Sequence, residues 1–340
     1  MKFYVIIAAI FVVIFAFLAL VSLGIYKYDW QNRFMKAVET VIPFPAVHIK
    51  GAGTISVREI KGDIEAVRKF YESQNFDQIG MRVDFSTDQG KKRLKLKEKD
   101  ILNKLIENKV IEKLAKAREI SINDATIDEE IDRSIDQYGN RQNLMSELNR
   151  LYGWTLEDFK KKVVGPELYA EKLADAFVNE VDNAPQEKKI KSLYERVTSK
   201  KEDFAKVASE ASEGQSSANG GDLGWSTKEQ LISEVGDKAF SMKTGQVSEV
   251  ISSPLGFHII KLEDIKTDNG ENMVHLRQIF VKKITFSDWL KEQMKKYPVT
   301  VFLRGYQWNS SEAAVEFSDP EMQQFEQTLP ANSEGDPSIF

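Results

Sequence analysis

Hydrophobic positions divide the chain into three textures. Phe3 to Tyr26 is an uncharged, mostly apolar run. At about 1.5 Å per residue, a helix of that length crosses a hydrocarbon core of about 30 Å, so the pattern predicts a transmembrane helix within residues 1–28. A cleaved signal peptide has a shorter apolar stretch, about 7–15 residues, before a small-residue cleavage site. No such site follows Leu23 and Gly24, so the expectation is a signal anchor. Lys2 on one side and Lys27, Arg33 and Lys36 on the other leave its orientation undecided.

Residues 29–182 carry mainly helical periodicity. Two short β-type runs, Ala46–Ile49 and Thr54–Val57, flank Lys50-Gly-Ala-Gly53 and predict a hairpin. From Glu59 to Val181, apolar residues recur on helical faces, for example Ile101, Leu102, Leu105, Ile106 and Val110. Thr126-x-x-Glu129 and Thr155-x-x-Asp158 are expected to open helices, and Gly165-Pro166 to interrupt or kink one. The basic run Lys91–Lys99 reads as a solvated helix start.

Asp182-Asn-Ala-Pro185 marks a boundary, beyond which the texture is α+β. Helices are expected over Glu187–Lys200, Phe204–Ala211 and, capped by Thr227-x-x-Gln230, up to Phe240. Strands are expected over Val247–Ile251, Phe257–Leu262 and Val274–Val281, then a helix over Ser287–Lys296 and a strand over Val299–Leu303. The acidic, polar, non-periodic residues 305–340 read as a disordered tail.

Composition narrows the chemistry. The 340 residues carry a net charge of −5 with no cysteine and only three histidines, His48, His258 and His275. That excludes disulfides, thiolate catalysis and Cys-based metal sites, and leaves too few histidines for a metal centre. No global basic field points to nucleic acid.

Four ordered blocks then carry a resemblance. They are Asp203-Phe-Ala-Lys-Val-Ala208, Ser216-Ser-Ala-Asn-Gly-Gly-Asp-Leu-Gly-Trp225 through Gln230 to Phe240, Lys243-Thr-Gly-Gln-Val-Ser248, and Gly256-Phe-His-Ile-Ile260. Together they make Lys188–Asp264 resemble the parvulin (PpiC-type) prolyl isomerases. The helical region, with Ile101-Leu-Asn-Lys-Leu-Ile106, Ile120-Ser-Ile-Asn-Asp124 and Asp128-Glu-Glu-Ile-Asp132, resembles the chaperone module of SurA- and PrsA-like foldases. The fold class expected is thus an N-terminal transmembrane helix, a mostly α chaperone domain with a small hairpin, and an α+β parvulin domain over residues 183–285.

One departure from the parvulin pattern is informative. Parvulins begin with a strand of the form x-His-Ile-Leu-Val before their first helix, and Ala176–Pro185 offers none. Val274–Lys283 matches it instead, so the domain is expected to be permuted, taking its first strand from the C-terminal side. Val299–Leu303 is then expected to return to the early hairpin, residues 286–304 completing the chaperone domain.

The resemblance implies a foldase at the cell membrane, its soluble part extracytoplasmic. Its partners would be the lipid bilayer and unfolded or newly exported proline-containing polypeptides, with no nucleic acid and no cofactor. It implies a proline pocket from Leu223, Leu231, Val235 and Phe257, and a polar set of His258, Gln278 and Ser253. Gln278 stands where parvulins carry a first histidine, and Gly214, beside Glu213, where they carry Asp or Cys. His275 lies three residues from Gln278 and so on the opposite strand face. The alternative reading is a non-catalytic holdase that grips clients with a degenerate parvulin domain.

Overall fold

The computed structural model describes residues 12, 16–28, 30, 32–73, 84–135, 139–268 and 270–328. The chain forms two compact units, Met1–Ala176 with Leu290–Phe340, and Phe177–Trp289.

In the first unit, residues 16–26 form a helix (α1). Among the described residues no helix is long and apolar enough to cross a membrane, which corrects the expected transmembrane helix. Residues 3–11 and 13–15 of that apolar run lie outside the described residues. At about 1.5 Å per residue, α1 covers about half of a hydrocarbon core. Part of its apolar surface is spent on the protein itself: Val21 and Ile25 are buried. Tyr26 donates to the Pro45 carbonyl at 2.7 Å.

Helix α2 (Arg33–Val41) starts where Asn32 accepts the Met35 N–H. The hairpin β1 (Pro45–Ile49) and β2 (Gly53–Ser56) follows. Next come α3 (Val57–Ser73), α4 (Asp88–Lys116), α5 (Asp124–Ser134), α6 (Arg141–Tyr152), α7 (Leu156–Phe159) and α8 (Gly165–Glu180). Asn123, not Thr126, caps α5, its side chain accepting the Thr126 N–H. Thr155 and Asp158 form the expected capping box. Ahead of Gly165-Pro166 the helix widens into a π-turn over Lys160–Val164 rather than breaking. Phe70, Ile131, Leu144, Leu148, Tyr152 and Trp154 pack together as one core.

The second unit contains α9 (Ala184–Thr198), α10 (Phe204–Ala211), β3 (Asp222–Ser226), α11 (Ser233–Ala239), β4 (Ile251–Ser252), β5 (Gly256–Asp268) and β6 (Glu271–Lys282). The Thr227 capping box closes only a short 3-10 turn, Lys228–Gln230. The antiparallel sheet has the order β3-β6-β5-β4. Strand β6, which contains Val274–Val281, is therefore an interior strand, with His258 opposite Phe280 and Trp225 opposite His275. The period of two sorts its side chains. Phe257, Ile259, Ile279 and Val281 pack on α9 and α10. Ile260, Leu262, Val274 and Leu276 pack with Val235 of α11. Of the expected strand Val247–Ile251 only its end is ladder, with Val247 bridging Lys261 alone.

The chain then returns to the first unit through α12 (Phe286–Met294), β7 (Val299–Val301), β8 (Tyr306–Asn309), β9 (Ala314–Phe317) and α13 (Pro320–Thr328). Strand β7 joins the hairpin beside β1, Val301 opposite Val47. Residues 305–328 are not a disordered tail. Strands β8 and β9 form a hairpin, and Tyr306, Val315, Phe317 and Met322 are buried. The partner is α4. Val315 N–H donates to Asn103 Oδ1 at 2.6 Å, and the Tyr306 hydroxyl donates to Glu98 at 2.8 Å. Lys92 pairs with Glu321, and Lys99 with Glu326. The basic run on α4 is thus partly neutralised by the acidic segment rather than wholly solvated. Residues 329–340 lie outside the described residues.

Candidate active site

His258 sits on β5 with β4 on one side and β6 on the other, opposite Ile251 and Phe280. It is 1% exposed, and Ser253, in the turn that links β4 to β5, is 3% exposed. Ser253 Oγ lies 2.7 Å from His258 Nε2, and His258 Nδ1 lies 3.3 Å from Gln278 Oε1. Gln278 faces Ile260 across the ladder, two pairs along from His258, so both side chains are on the same face.

Hydrogen-bond accounting gives this chain a direction. Ser253 Oγ accepts the Leu255 and Gly256 N–H groups at 3.2 and 3.3 Å. Its single proton can go to His258 Nε2 at 2.7 Å or to the Gly256 carbonyl at 3.3 Å, and the shorter contact favours the imidazole. Nδ1 then carries the ring proton and donates to Gln278 Oε1, an assignment made from the network. The Gln278 amide N–H₂ is left as the terminal donor. Burial holds the His258 pKa below its ordinary value, the Gln278 contact and Glu234 opposing, Lys283 assisting. The imidazole is therefore neutral at neutral pH.

The loop position beside Gln278 is empty of side chain. A Cβ on Gly214 would lie 3.8 Å from Gln278 Nε2 and 3.5 Å from Phe280 Cβ. Glu213 is turned away, taking Lys189 at 2.6 Å and the Lys282 N–H at 2.7 Å. His275 belongs to another network, 2.8 Å from Asp222 with its ring against Trp225. The glycine cluster serves the sheet. Gly221 has φ +76°, and a Cβ there would meet the Gln278 carbonyl oxygen at 2.3 Å. Only glycine lets the chain pass that close to β6.

Of the expected proline-pocket residues, Val235 is buried, with Leu223 and Leu231 half-buried around it on the His258 face. Phe257 does not join them. An odd step along β5 turns it to the α9–α10 face, with Ile259 and Val281. The aromatic at the site is Phe280, its ring 4.8 Å from that of His258. Gly256 makes room for it, since a Cβ there would be 2.4 Å from the Phe280 ring. Its position two residues beyond Gln278 was the sequence signal for it. Among the described residues no group of three or more His, Cys, Asp or Glu could hold a metal ion.

Comparison with known proteins places both halves. Residues 171–264 match the PPIC-type PPIASE domain, and residues 1–165 the SurA-like N-terminal domain. The foldase protein PrsA of Bacillus subtilis is 31% identical over 217 residues, covering 58% of this chain and 70% of that protein. PrsA of a Geobacillus species is 30% identical over 185 residues, covering 49% of this chain and 63% of that one. The chaperone SurA of Chromohalobacter salexigens is 41% identical over 83 residues, covering 24% of this chain but only 19% of that protein. The match thus spans less than two thirds of the Geobacillus and Chromohalobacter relatives. The isomerase-domain match stops at Asp264, before β6, the strand that carries Gln278 and Phe280. A PPIC-type isomerase domain behind a SurA-like N-terminal domain, in a chain that shares most of the length of a PrsA at that identity, means that the protein belongs to the PrsA foldase family.

Proposed function

We propose that this protein is an extracytoplasmic foldase that accelerates cis–trans isomerisation of X–Pro bonds in unfolded or newly exported polypeptides. One observation carries the reading. The directed chain Ser253–His258–Gln278 lies on the same sheet face as the apolar set Val235, Leu223 and Leu231. The SurA- and PrsA-like architecture and the absence of cysteine support the extracytoplasmic part.

Prolyl isomerisation breaks no covalent bond. The enzyme lowers a rotational barrier of about 18–20 kcal/mol by binding the twisted amide better than either planar form. The proline ring would rest on Leu223, Leu231 and Val235. Twisting localises electron density on the imide nitrogen and gives the carbonyl more ketone character. The Gln278 N–H₂ supplies a donor to that state, held in place through His258 by Ser253. No group in the chain needs to change protonation during the turnover.

A second reading, the holdase, is favoured by Gly214 and Gln278, which provide neither a loop side chain nor a second imidazole. The two separate in one experiment on the full chain, a proline-limited refolding reaction run beside an aggregation assay. Acceleration that is lost in Gln278→Leu supports the enzyme. Aggregation suppression with no acceleration by the wild type would reject it in favour of the holdase.

A further inference from the structure

Lys283 is half-buried just beyond the end of β6, and none of the ion pairs among the described residues involves it. Its ammonium is spent on neutral partners. Nζ donates to Ser252 Oγ at 2.7 Å and to the Ser253 carbonyl at 2.8 Å, and lies 4.6 Å from the centre of the Phe257 ring. Its backbone N–H donates to the Leu255 carbonyl at 3.1 Å. One residue thus clasps residues 252–255 from both its main chain and its side chain. The same turn carries Ser253, and its tip, Leu255, is 53% exposed. The three ammonium donors are suited to this, because two can bond the turn while the third faces the ring.

We infer that Lys283 is a positioning residue for the isomerase site, fixing the turn so that the Ser253 hydroxyl donates to His258 Nε2 and the imidazole keeps the tautomer that donates to Gln278. Its consequence for rate rests on the proposed isomerase function, but its consequence for the tautomer does not. The geometry requires an outcome that a mere sheet-end clasp would not. If the turn slackens, Ser253 Oγ can release Nε2 in favour of the Gly256 carbonyl, which is already within 3.3 Å. His258 then loses the partner that selects its Nδ1–H form, and Gln278 loses its anchor.

The experiment uses the full chain with Lys283→Met, which keeps the stem over Phe257, and Lys283→Gln, which keeps a donor without the charge. Two quantities are read: the ¹⁵N shifts of the His258 ring, and kcat and KM on a leucyl-prolyl peptide. Lys283→Met is expected to move His258 toward the Nε2–H tautomer and to lower kcat about tenfold with KM within twofold. Lys283→Gln is expected to retain most of the wild-type tautomer. Wild-type ring shifts in Lys283→Met would overturn the inference. So would a folded Lys283→Gln with the full tautomer change, since it keeps a donor. If Lys283→Met fails to fold, the Lys283→Gln shifts decide alone. A wild type without isomerase activity would remove the functional reading, while the tautomer change would still test the positioning role.

Discussion

The sheet β3–β6 and the segment 305–328 on α4 were read from the same sequence with opposite success. In the sheet, each strand carries its partner information locally, as a period-two pattern beside a short turn. Strand β6 lies only a short turn after β5, so a polar loop and an alternating run suffice to place it. The C-terminal segment has no such local mark. Its strands have four residues each, and the surface that orders them is a helix roughly 200 residues earlier. Acidic, polar composition describes such a segment in isolation, and isolation is the condition it escapes. Disorder inferred from composition assumes that no complementary surface exists, and Lys92, Lys99 and Asn103 provide one.

The largest effect should come from emptying the buried part of that contact. Phe317 is 2% exposed, its ring near that of Tyr306 and under the Lys99 ammonium. Phe317→Ala is expected to cost about 3–5 kcal/mol, the usual range for a buried phenylalanine. Hydrogen exchange should show the loss as faster exchange along α4 and β9. If α4 protection were unchanged, the segment would be only loosely held and the sequence reading would have been nearer the truth.

Next in size are changes on the His258 face of the sheet, in its strands and in the helix α11 that packs on it. Val235→Asp places an unpaired carboxylate against Ile260 and Leu276, a mechanism that typically costs several kcal/mol when the group stays ionised. A milder probe is Gln278→Leu, which removes the terminal donor and leaves His258 Nδ1–H unpaired. A loss of two hydrogen bonds at about 1–1.5 kcal/mol each predicts a fall of roughly 30- to 150-fold in kcat/KM, measured by a peptide isomerisation assay. A fall of less than twofold would mean that Gln278 does not act on the substrate.

How much of this was legible follows the same division. Ser253, His258 and Gln278 could be named because the parvulin pattern passes through them, and they do meet at hydrogen-bond distance. Phe257 was misplaced through adjacency: chain neighbours on a strand face opposite ways, so closeness in number to His258 meant separation by the sheet. Phe280 obeyed the rule that excluded Phe257 and was overlooked. Lys283 had no signal, because its role lies in a turn closed some thirty residues away. The capping residue of α5 was missed for a different reason. Asn123 and Thr126 are both good caps, and the tertiary packing of Ile127 and Ile131 decides which turn is the first.

A smaller effect is set by the titration of His258. Burial lowers its pKa, so below about 6.5 the unfolded chain binds a proton that the folded one resists. Stability is therefore full above the unfolded value, and declines as the pH falls from there through the depressed folded value. Activity should be flat from about pH 7 upward, since Gln278 does not titrate, and fall only on the acid side of the ordinary histidine value. A rise in kcat/KM as the pH is lowered from about 6 to about 5 would mean that the imidazolium is the working form.

The smallest effect belongs to the exposed charges on α4. Lys92 and Glu321 lie 2.6 Å apart with side chains 30% and 70% exposed. A pair so solvated is worth at most about 1 kcal/mol, and less in salt. Glu321→Gln should lower the midpoint of thermal unfolding slightly in dilute buffer and not at all near 1 M salt, where the Debye length is about 3 Å. Phe317→Ala should keep its full effect at both. That contrast assigns the work within one contact: apolar burial of Tyr306, Val315 and Phe317 holds the segment, while the charges set which surface it finds. A salt-sensitive effect of Glu321→Gln as large as that of Phe317→Ala would reverse the assignment and make the segment an electrostatic strap.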